Sequence, residues 1–308
     1  MATPEQNPVT RAETFLWHAA RLLERRRFEQ LFRQGAASHV VDALRGYQNS
    51  DGGFGQALEP DFRGPVSQPL AVDFALRVLD ECGHFEPTLL EPALAFLMAI
   101  RARDGGVPNV LANALAYPRA PWWQPDPLQP GCLLPTASIA GLLHKHRVEH
   151  PLLCTASDFC WRALARIPER IALRRTRLDG LQIAYELRAA LPFLDHTPER
   201  ARAEQSAAAV GKALLDAAMI ELDPEREAES ASPLEFASAP DTLAHRWFDE
   251  RVIDRALTAL TAEQGDDGGF PISWQVWTPL AGLEWRAVQT IERLKTLRSY
   301  GRLAATEA

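Results

Sequence analysis

The sequence predicts an all-α fold, and three observations lead to that prediction. Apolar residues recur at three- and four-residue steps along much of the chain, as they do on the buried face of an α-helix. No stretch of alternating β-branched residues indicates a strand. One short turn motif, rich in aspartate and glycine, recurs between the helical stretches. With 308 residues, 46% of them hydrophobic and 24% charged, the chain is long enough to bury a substantial core.

The first predicted helix covers residues 11–34, where apolar side chains share one face. The same periodicity predicts helices over 36–47, 68–82, 88–100, 133–147, 151–166, 178–193, 199–221, 248–263 and 281–299. A short helix is predicted near 240–246, opened by Asp241. About eleven helices therefore make up a single domain over residues 1–303, and a disordered tail is predicted over residues 304–308.

The turn motif separates some of these helices. It reads QNSDGGFG at 48–55, RARDGGV at 101–107 and QGDDGGF at 264–270. Asp51 and Asp104 are 53 residues apart, and the third copy follows 163 residues later, close to three further periods. One period thus holds a two-helix hairpin, and an array of hairpins either stays an open solenoid or closes into a ring.

We interpret the motif as a helix stop. Gly52 or Gly53 adopts the left-handed conformation that ends a helix without a Cβ clash. Asp51 accepts hydrogen bonds from backbone amides of the turn, and Phe54 packs back on the helix. The amide of Gln48, one turn earlier, is expected to bind the next hairpin.

The motifs at 48–54 and 264–270 resemble the glutamine–tryptophan repeats of squalene–hopene and oxidosqualene cyclases, with phenylalanine in the place of tryptophan. Protein prenyltransferase β subunits carry related turns. The resemblance covers the repeat skeleton across much of the chain. It implies the (α/α)6 toroid of that superfamily, in which six inner helices are surrounded by outer ones. The repeat is specific for the fold and says little about chemistry.

The catalytic signatures of that superfamily are absent from the sequence. No Asp-x-Asp-Asp run occurs, and the nearest loop offers only Glu59 and Asp61. In DDGGF, Phe270 stands where an aspartate-rich magnesium motif would have its third acid. The zinc set of the prenyltransferases has no counterpart, and the histidines of 144–150 are expected at a helix end. We therefore expect neither a metal nor another cofactor.

Long connections are predicted to gather at one mouth of the ring. If the predicted helix 11–34 is an inner helix of the ring, each link from an inner helix to the next outer helix is short. Each link from an outer helix to the next inner helix is long. All links of one kind emerge at the same end of a ring of hairpins, where loops on a rigid scaffold often carry function. Because the first and last hairpins of a closed ring are neighbours, Asp61 should lie close to Trp274 and Glu284. The long links are 52–67, 105–131, 222–240 and 268–280.

The candidate site is assigned to this mouth. Burial beside apolar rings raises the pKa of a carboxyl group and suits it to proton donation. The candidate catalytic residues are Glu59, Asp61 and Glu284. Asp61 is the preferred donor, and Arg63 either orients it or holds it ionised. Aromatic faces also stabilise a carbocation, by roughly 0.5–2 kcal/mol each. The candidate substrate-binding residues are Phe62, Arg63, Trp122, Trp123, Asp241, Trp274, Trp277 and Trp285.

Three function classes fit these residues. The first is a terpenoid cyclase-like enzyme that acts on a hydrophobic, isoprenoid-type substrate by acid-initiated cyclisation or isomerisation. The second is a carbohydrate-active (α/α)6 enzyme, with carboxylates ~5–10 Å apart and exposed tryptophans. The third is a non-catalytic binding toroid, or a subunit of a larger assembly, in which the same residues fill the end of the barrel.

Charge and hydropathy restrict the partners and the location. A net charge of −7 argues against a nucleic-acid or anionic membrane surface. The longest apolar run, 93–100, is too short to cross a bilayer, and the first residues lack the apolar core of a signal peptide. Four cysteines without C-x-x-C spacing fit reduced thiols. We expect a cytoplasmic protein with a hydrophobic small-molecule ligand; self-association and a partner subunit both stay open.

Overall fold

The all-α prediction is confirmed. A computed structural model describes residues 7–224 and 231–303, and within these ranges thirteen α-helices and three isolated β-bridges occur, with no strand. The predicted tail, 304–308, lies outside the described residues. The helices are α1 (Pro8–Ala19), α2 (Leu22–Phe32), α3 (Ala37–Arg45), α4 (Pro69–Glu81), α5 (Pro87–Ile100), α6 (Leu133–Lys145), α7 (Pro151–Ala165), α8 (Ile167–Leu173), α9 (Arg177–His196), α10 (Arg200–Asp216), α11 (Pro233–Phe236), α12 (Glu250–Ala262) and α13 (Pro279–Ser299).

Three differences from the predicted helices affect the site. The single helix predicted over 11–34 is two helices, because Ala20 and Arg21 are extended. Residues 167–177, which separate two predicted helices, contain α8. Near 240–246 the structure has a 3-10 helix, Leu243–Trp247, and the short helix α11 precedes it.

Burial separates inner from outer helices. In α6, residue 133 and all of residues 135–143 are buried, as expected for a helix enclosed by neighbours. In α12, the buried residues are Ile253, Ala256, Leu257 and Leu260, which form one apolar face. Contacts run from α2 to α4, α4 to α6 and α6 to α9, and α13 contacts both α1 and α2. The closed toroid remains a prediction, which this succession favours.

The three turn motifs share one geometry. In each, the aspartate Oδ1 accepts a hydrogen bond of 3.0 Å from the backbone N–H two residues later, and the first glycine has a positive φ of 86°, 92° or 87°. The predicted role as a helix stop is wrong, because α3 ends at Arg45, seven residues before Gly52. The glycine is required instead for close approach. A Cβ on Gly52 would lie 2.2 Å from the Pro92 carbonyl oxygen in α5.

The predicted tie to the next hairpin is confirmed. Gln48 Nε2 donates to the carbonyl oxygens of Gly52 (3.0 Å) and of Leu89 in α5 (2.9 Å). Gln264 Nε2 repeats this pattern, donating to Gly268 O (2.8 Å) and to Pro8 O in α1 (2.9 Å). The last motif therefore packs against the first helix of the chain as the first motif packs against α5.

Buried charges join three helices, α2, α4 and α13. Arg27 donates to both carboxylate oxygens of Glu81 (2.7 and 2.8 Å) and to Glu292 (2.9 Å). Lys295 binds the same two carboxylates, at 2.7 and 2.9 Å. Since Arg27 and Glu81 are almost completely buried, the network fixes these helices against one another.

None of the helices in the two described ranges combines the length and the apolar character needed to cross a membrane.

Candidate acid site at the long-loop mouth

The first long loop has a strained backbone next to the candidate acids. Gln56 and Ala57 have φ values of 56° and 59°, in the left-handed region that costs a non-glycine residue on the order of 1–3 kcal/mol. Arg21 holds this conformation by donating from Nη1 to the carbonyl oxygens of Ala57 (2.8 Å) and Leu58 (3.0 Å). The loop is thereby fixed where Glu59 and Asp61 follow.

Glu59 and Asp61 are both buried, and one positions the other. The Oε2 atom of Glu59 accepts a hydrogen bond of 2.8 Å from the backbone N–H of Asp61. The carbonyl of Asp61 accepts one of 2.8 Å from the N–H of Ala120, which joins the first long loop to the second. Burial and the nearby Asp61 charge raise the pKa of Glu59 well above its usual value.

Three indole N–H groups face the Asp61 carboxyl. Trp122 Nε1 donates to Oδ2 at 3.0 Å. The indoles of Trp285 and Trp277 also face this carboxyl, but their Nε1 atoms are buried and form no hydrogen bond of good geometry among the described residues. Burial raises the pKa of Asp61, and the three N–H groups counteract part of that rise. Trp274 packs edge-on against Trp285, with ring centroids 5.5 Å apart.

The predicted proximity of the first and last long loops is confirmed, but with a different pairing. Arg63 forms an ion pair with Glu284, across more than two hundred residues of sequence, and it does not bind Asp61. Arg21 lies 3.8 Å from the same Glu284 carboxylate. The carboxylate of Glu284 is thus engaged by Arg63, whereas Arg21 donates its shorter bonds, of 2.9 and 2.8 Å, to Glu24. Neither of the two roles considered for Arg63 toward Asp61 is observed.

Two predicted substrate-binding residues belong to a buried apolar cluster. Phe62 stacks on Trp123, with ring centroids 5.1 Å apart and an interplanar angle of 6°. Tyr117 packs edge-on against Phe62, and Trp277 packs against the same cluster. Phe62 and Trp123 therefore form part of the buried core beneath the loop surface, and they present no exposed surface to a ligand.

The placement of Asp241 at this mouth is wrong. Its charge acts on Asp195, His196 and Tyr300, at the carboxyl ends of α9 and α13, whereas Asp61 lies near the amino end of α13. Since α13 has 21 residues, the two ends are about 30 Å apart. The reason is that the long link predicted over 222–240 already contains α11, which begins at Pro233 and packs against α9 and α12, before the chain reaches residue 241.

Exposed apolar side chains lie on the segments that carry Trp122, Trp277 and Trp285. Val276, Leu280 and Leu283, where α13 begins, are exposed, and so is Trp122, at 49%. From α9, Tyr185 approaches closely enough for Asp61 to contribute to its raised pKa, after the larger effect of burial. Apolar and aromatic side chains at this mouth therefore accompany three buried carboxyl groups, those of Glu59, Asp61 and Glu284.

Sequence patterns did not identify Arg21 or Tyr185 as parts of this site. The predicted helix 11–34 runs through Arg21 without a break, because nothing in the apolar pattern marks the start of α2. Tyr185 lies on α9 among residues of ordinary helical spacing, and only the tertiary packing of that helix brings it near Asp61.

The histidines near the end of α6 have local partners. His146 Nε2 bonds Asp80 at 2.7 Å, and His150 accepts a hydrogen bond from the N–H of Leu152 at the start of α7. Among residues 7–224 and 231–303, no group of three or more His, Cys, Asp and Glu side chains is arranged to hold a metal ion. The expected independence from metal stays a prediction.

A crystal structure of a protein from Actinoplanes is similar in fold to this chain. The match covers 96% of this chain and 98% of that chain, with a TM-score of 0.61 and 19% sequence identity. At this identity the similarity concerns the fold alone. No protein-family model matches the sequence, and no curated protein does either.

Proposed function

We propose that the protein is an enzyme in which Asp61 acts as a general acid on a hydrophobic, isoprenoid-type substrate. The observation that carries this proposal is the position of Asp61: a buried carboxyl group of raised pKa that three indole N–H groups face, with exposed apolar side chains on the segments that carry those indoles. A carboxyl group in such surroundings keeps its proton at a pH where an exposed aspartate has lost it.

The proposed reaction is an acid-initiated isomerisation or cyclisation. Asp61 transfers its proton to one carbon of a C=C bond, and the other carbon becomes cationic. The neighbouring indoles stabilise that cation, by about 0.5–2 kcal/mol for each ring. Loss of a proton from an adjacent carbon then forms the new C=C bond. A proton returned to the Asp61 carboxylate regenerates the acid.

Two residues have supporting roles in this proposal. Glu59 is a positioning residue, since its carboxyl oxygen binds the backbone N–H of Asp61. Trp122 donates a hydrogen bond to the Asp61 Oδ2 atom, and this bond stabilises the carboxylate that remains after proton transfer. We also propose a cytoplasmic location, because the four cysteines are free thiols.

Incubation in D2O tests the proposal. The full chain is incubated with a panel of unsaturated isoprenoid alcohols and hydrocarbons, and products are analysed by mass spectrometry. Protonation of a C=C bond places one deuterium on carbon in each turnover. General acids contribute about 10²- to 10⁴-fold to rate, so Asp61→Asn should lower turnover by at least 10²-fold. Glu59→Gln keeps a hydrogen-bond acceptor and should lose less than tenfold.

The matched control is Asp126→Asn, an exposed acid of the second long loop whose carboxylate accepts from the N–H of Leu128. It should retain full turnover. If no isoprenoid incorporates deuterium, or if Asp61→Asn turns over like the parent, the proposal is wrong.

A carbohydrate-active enzyme is the second candidate, and the ion pairs near the mouth favour it. Arg63 pairs with Glu284, and Arg188 on α9, the helix that also carries Tyr185, pairs with Glu235 at 3.1 Å, so polar groups accompany the aromatic ones. Oligosaccharides are therefore included in the panel. New reducing ends without a carbon–deuterium bond, lost in Asp61→Asn, would support this candidate against the first.

A further inference from the structure

A second cleft lies outside the acid site. It has a volume of about 770 Å³ and opens between the loop 101–132 and helices α7, α8 and α9. Small-molecule sites commonly have volumes of about 300–1,000 Å³. None of the residues assigned to the acid site lines this cleft.

Three arginines, spaced four residues apart, lie along one wall. Arg170 is neutralised, because it binds both carboxylate oxygens of Glu186, at 2.6 and 3.1 Å. Arg162 donates to a backbone carbonyl, that of Asp104, at 2.6 Å. Arg166 is exposed, and its guanidinium group bonds no group within the described ranges. Two guanidinium groups of this wall therefore lack a carboxylate partner.

The carboxylates of the cleft are already engaged. The Asp104 carboxylate accepts from the N–H of Gly131 at 3.0 Å, and that of Asp126 accepts from the N–H of Leu128 at 2.8 Å. Glu186 is bound by Arg170. Arginine near the carboxyl end of α7 also suits the helix dipole, but the dipole does not account for a cavity beside it.

Amide oxygens form the other polar part of the lining. Gln124, Gln129 and Gln182 each donate from Nε2 to this chain, and their Oε1 atoms accept nothing from the residues that the structure describes. Asn109 Oδ1 is buried without a donor in the same part of the chain. Amide oxygens bind O–H donors, and guanidinium groups bind phosphate in a two-pronged geometry.

We propose that this cleft binds a sugar phosphate, with its phosphate on Arg162 and Arg166 and its hydroxyl groups on the amide oxygens of Asn109, Gln124, Gln129 and Gln182. The proposal is independent of the chemistry assigned to Asp61. The arginines and the amide oxygens of the cleft together require an anionic end and a hydroxyl-rich end in one small molecule.

Isothermal titration of the full chain with glucose 6-phosphate tests this proposal, with inorganic phosphate and glucose as separate probes. Saturable binding of glucose 6-phosphate is expected, at least tenfold tighter than that of either fragment. Arg162→Gln and Arg166→Gln should each weaken it by at least tenfold. Arg251→Gln, at an exposed arginine on α12, is the matched control and should leave it unchanged.

Thermal unfolding of each variant shows that a loss of binding is not a loss of fold. Asp61→Asn should bind glucose 6-phosphate like the parent, which separates this cleft from the acid site. The proposal is overturned if glucose 6-phosphate shows no saturable binding. Equal affinity for inorganic phosphate, or full affinity in both arginine variants, would also overturn it.

Discussion

Replacement of Gly268 by alanine tests the contact that joins the two ends of the chain. Gly268 has a φ of +87°, and a Cβ there would lie 2.1 Å from the carbonyl oxygen of Arg11 in α1. The left-handed conformation costs an L residue roughly 1–2 kcal/mol, and overpacking against a fixed backbone adds about 1–3 kcal/mol. We therefore expect Gly268→Ala to lower the free energy of unfolding by about 2–5 kcal/mol.

Gly83 separates the two contributions. Its φ is +80°, but a Cβ there would meet nothing within 4 Å. Gly83→Ala should thus lose only the conformational part, about 1–2 kcal/mol. Gly52→Ala should behave like Gly268→Ala, because its Cβ would lie 2.2 Å from the Pro92 carbonyl oxygen.

Urea denaturation, followed by far-UV circular dichroism, measures the three differences by linear extrapolation. The informative quantity is the loss in Gly268→Ala minus the loss in Gly83→Ala, which we expect to be about 1–3 kcal/mol. If Gly268→Ala loses no more than Gly83→Ala, α1 does not pack against the last motif as described, and the argument for a closed ring loses its main support.

Three further predictions concern charged groups. Glu81→Gln leaves Arg27 and Lys295 without their shared carboxylate and should cost about 3–5 kcal/mol in urea denaturation, whereas Asp42→Asn, at a surface pair, should cost less than about 1 kcal/mol. Burial opposes the charge of Glu81, but Arg27 and Lys295 outweigh it and lower the pKa of this carboxyl group. The stabilisation by the charged Glu81 should therefore be lost as pH falls below its usual pKa of 4.5. In Glu81→Gln the free energy of unfolding should fall less steeply over the same pH range. Burial raises the pKa of Asp61, so the contribution of this carboxyl group to the free energy of unfolding declines as pH rises above 3.8. Asp61→Asn should therefore be more stable than the parent at neutral pH, while it loses turnover.

Helix positions could be predicted from the sequence because apolar periodicity reports directly which residues face a core. The break at Ala20 and Arg21 could not, since neither residue is glycine or proline and the apolar pattern continues across it. The sequence shows the glycines of the motif, but it does not show the physical reason why glycine is needed there. A Cβ is excluded at Gly52 because α5 lies against it, and a tertiary contact of that kind leaves no local pattern.

The site could be predicted in part. The alternation of short and long links brought the first and last loops together, and the ion pair between Arg63 and Glu284 confirms their proximity. Which charges pair inside that cluster depends on side-chain geometry, so the partner of Arg63 was missed. The position of Asp241 is not predicted for another reason: the chain before it forms only the four-residue helix α11, which is too short to show helical periodicity.

The stability cost of the first long loop distinguishes a functional site from a plug that closes the barrel. Gln56 and Ala57 occupy left-handed conformations that glycine would adopt without strain. Two acids, Glu59 and Asp61, are buried in the same loop, and burial raises the pKa of both. A plug would be more stable with glycines at 56 and 57 and with uncharged side chains at 59 and 61. Arg21, which binds the strained backbone, offsets part of the cost without removing its source. Because features that lower stability collect at positions that carry function, their concentration next to one aromatic-lined carboxyl favours the acid site over the plug.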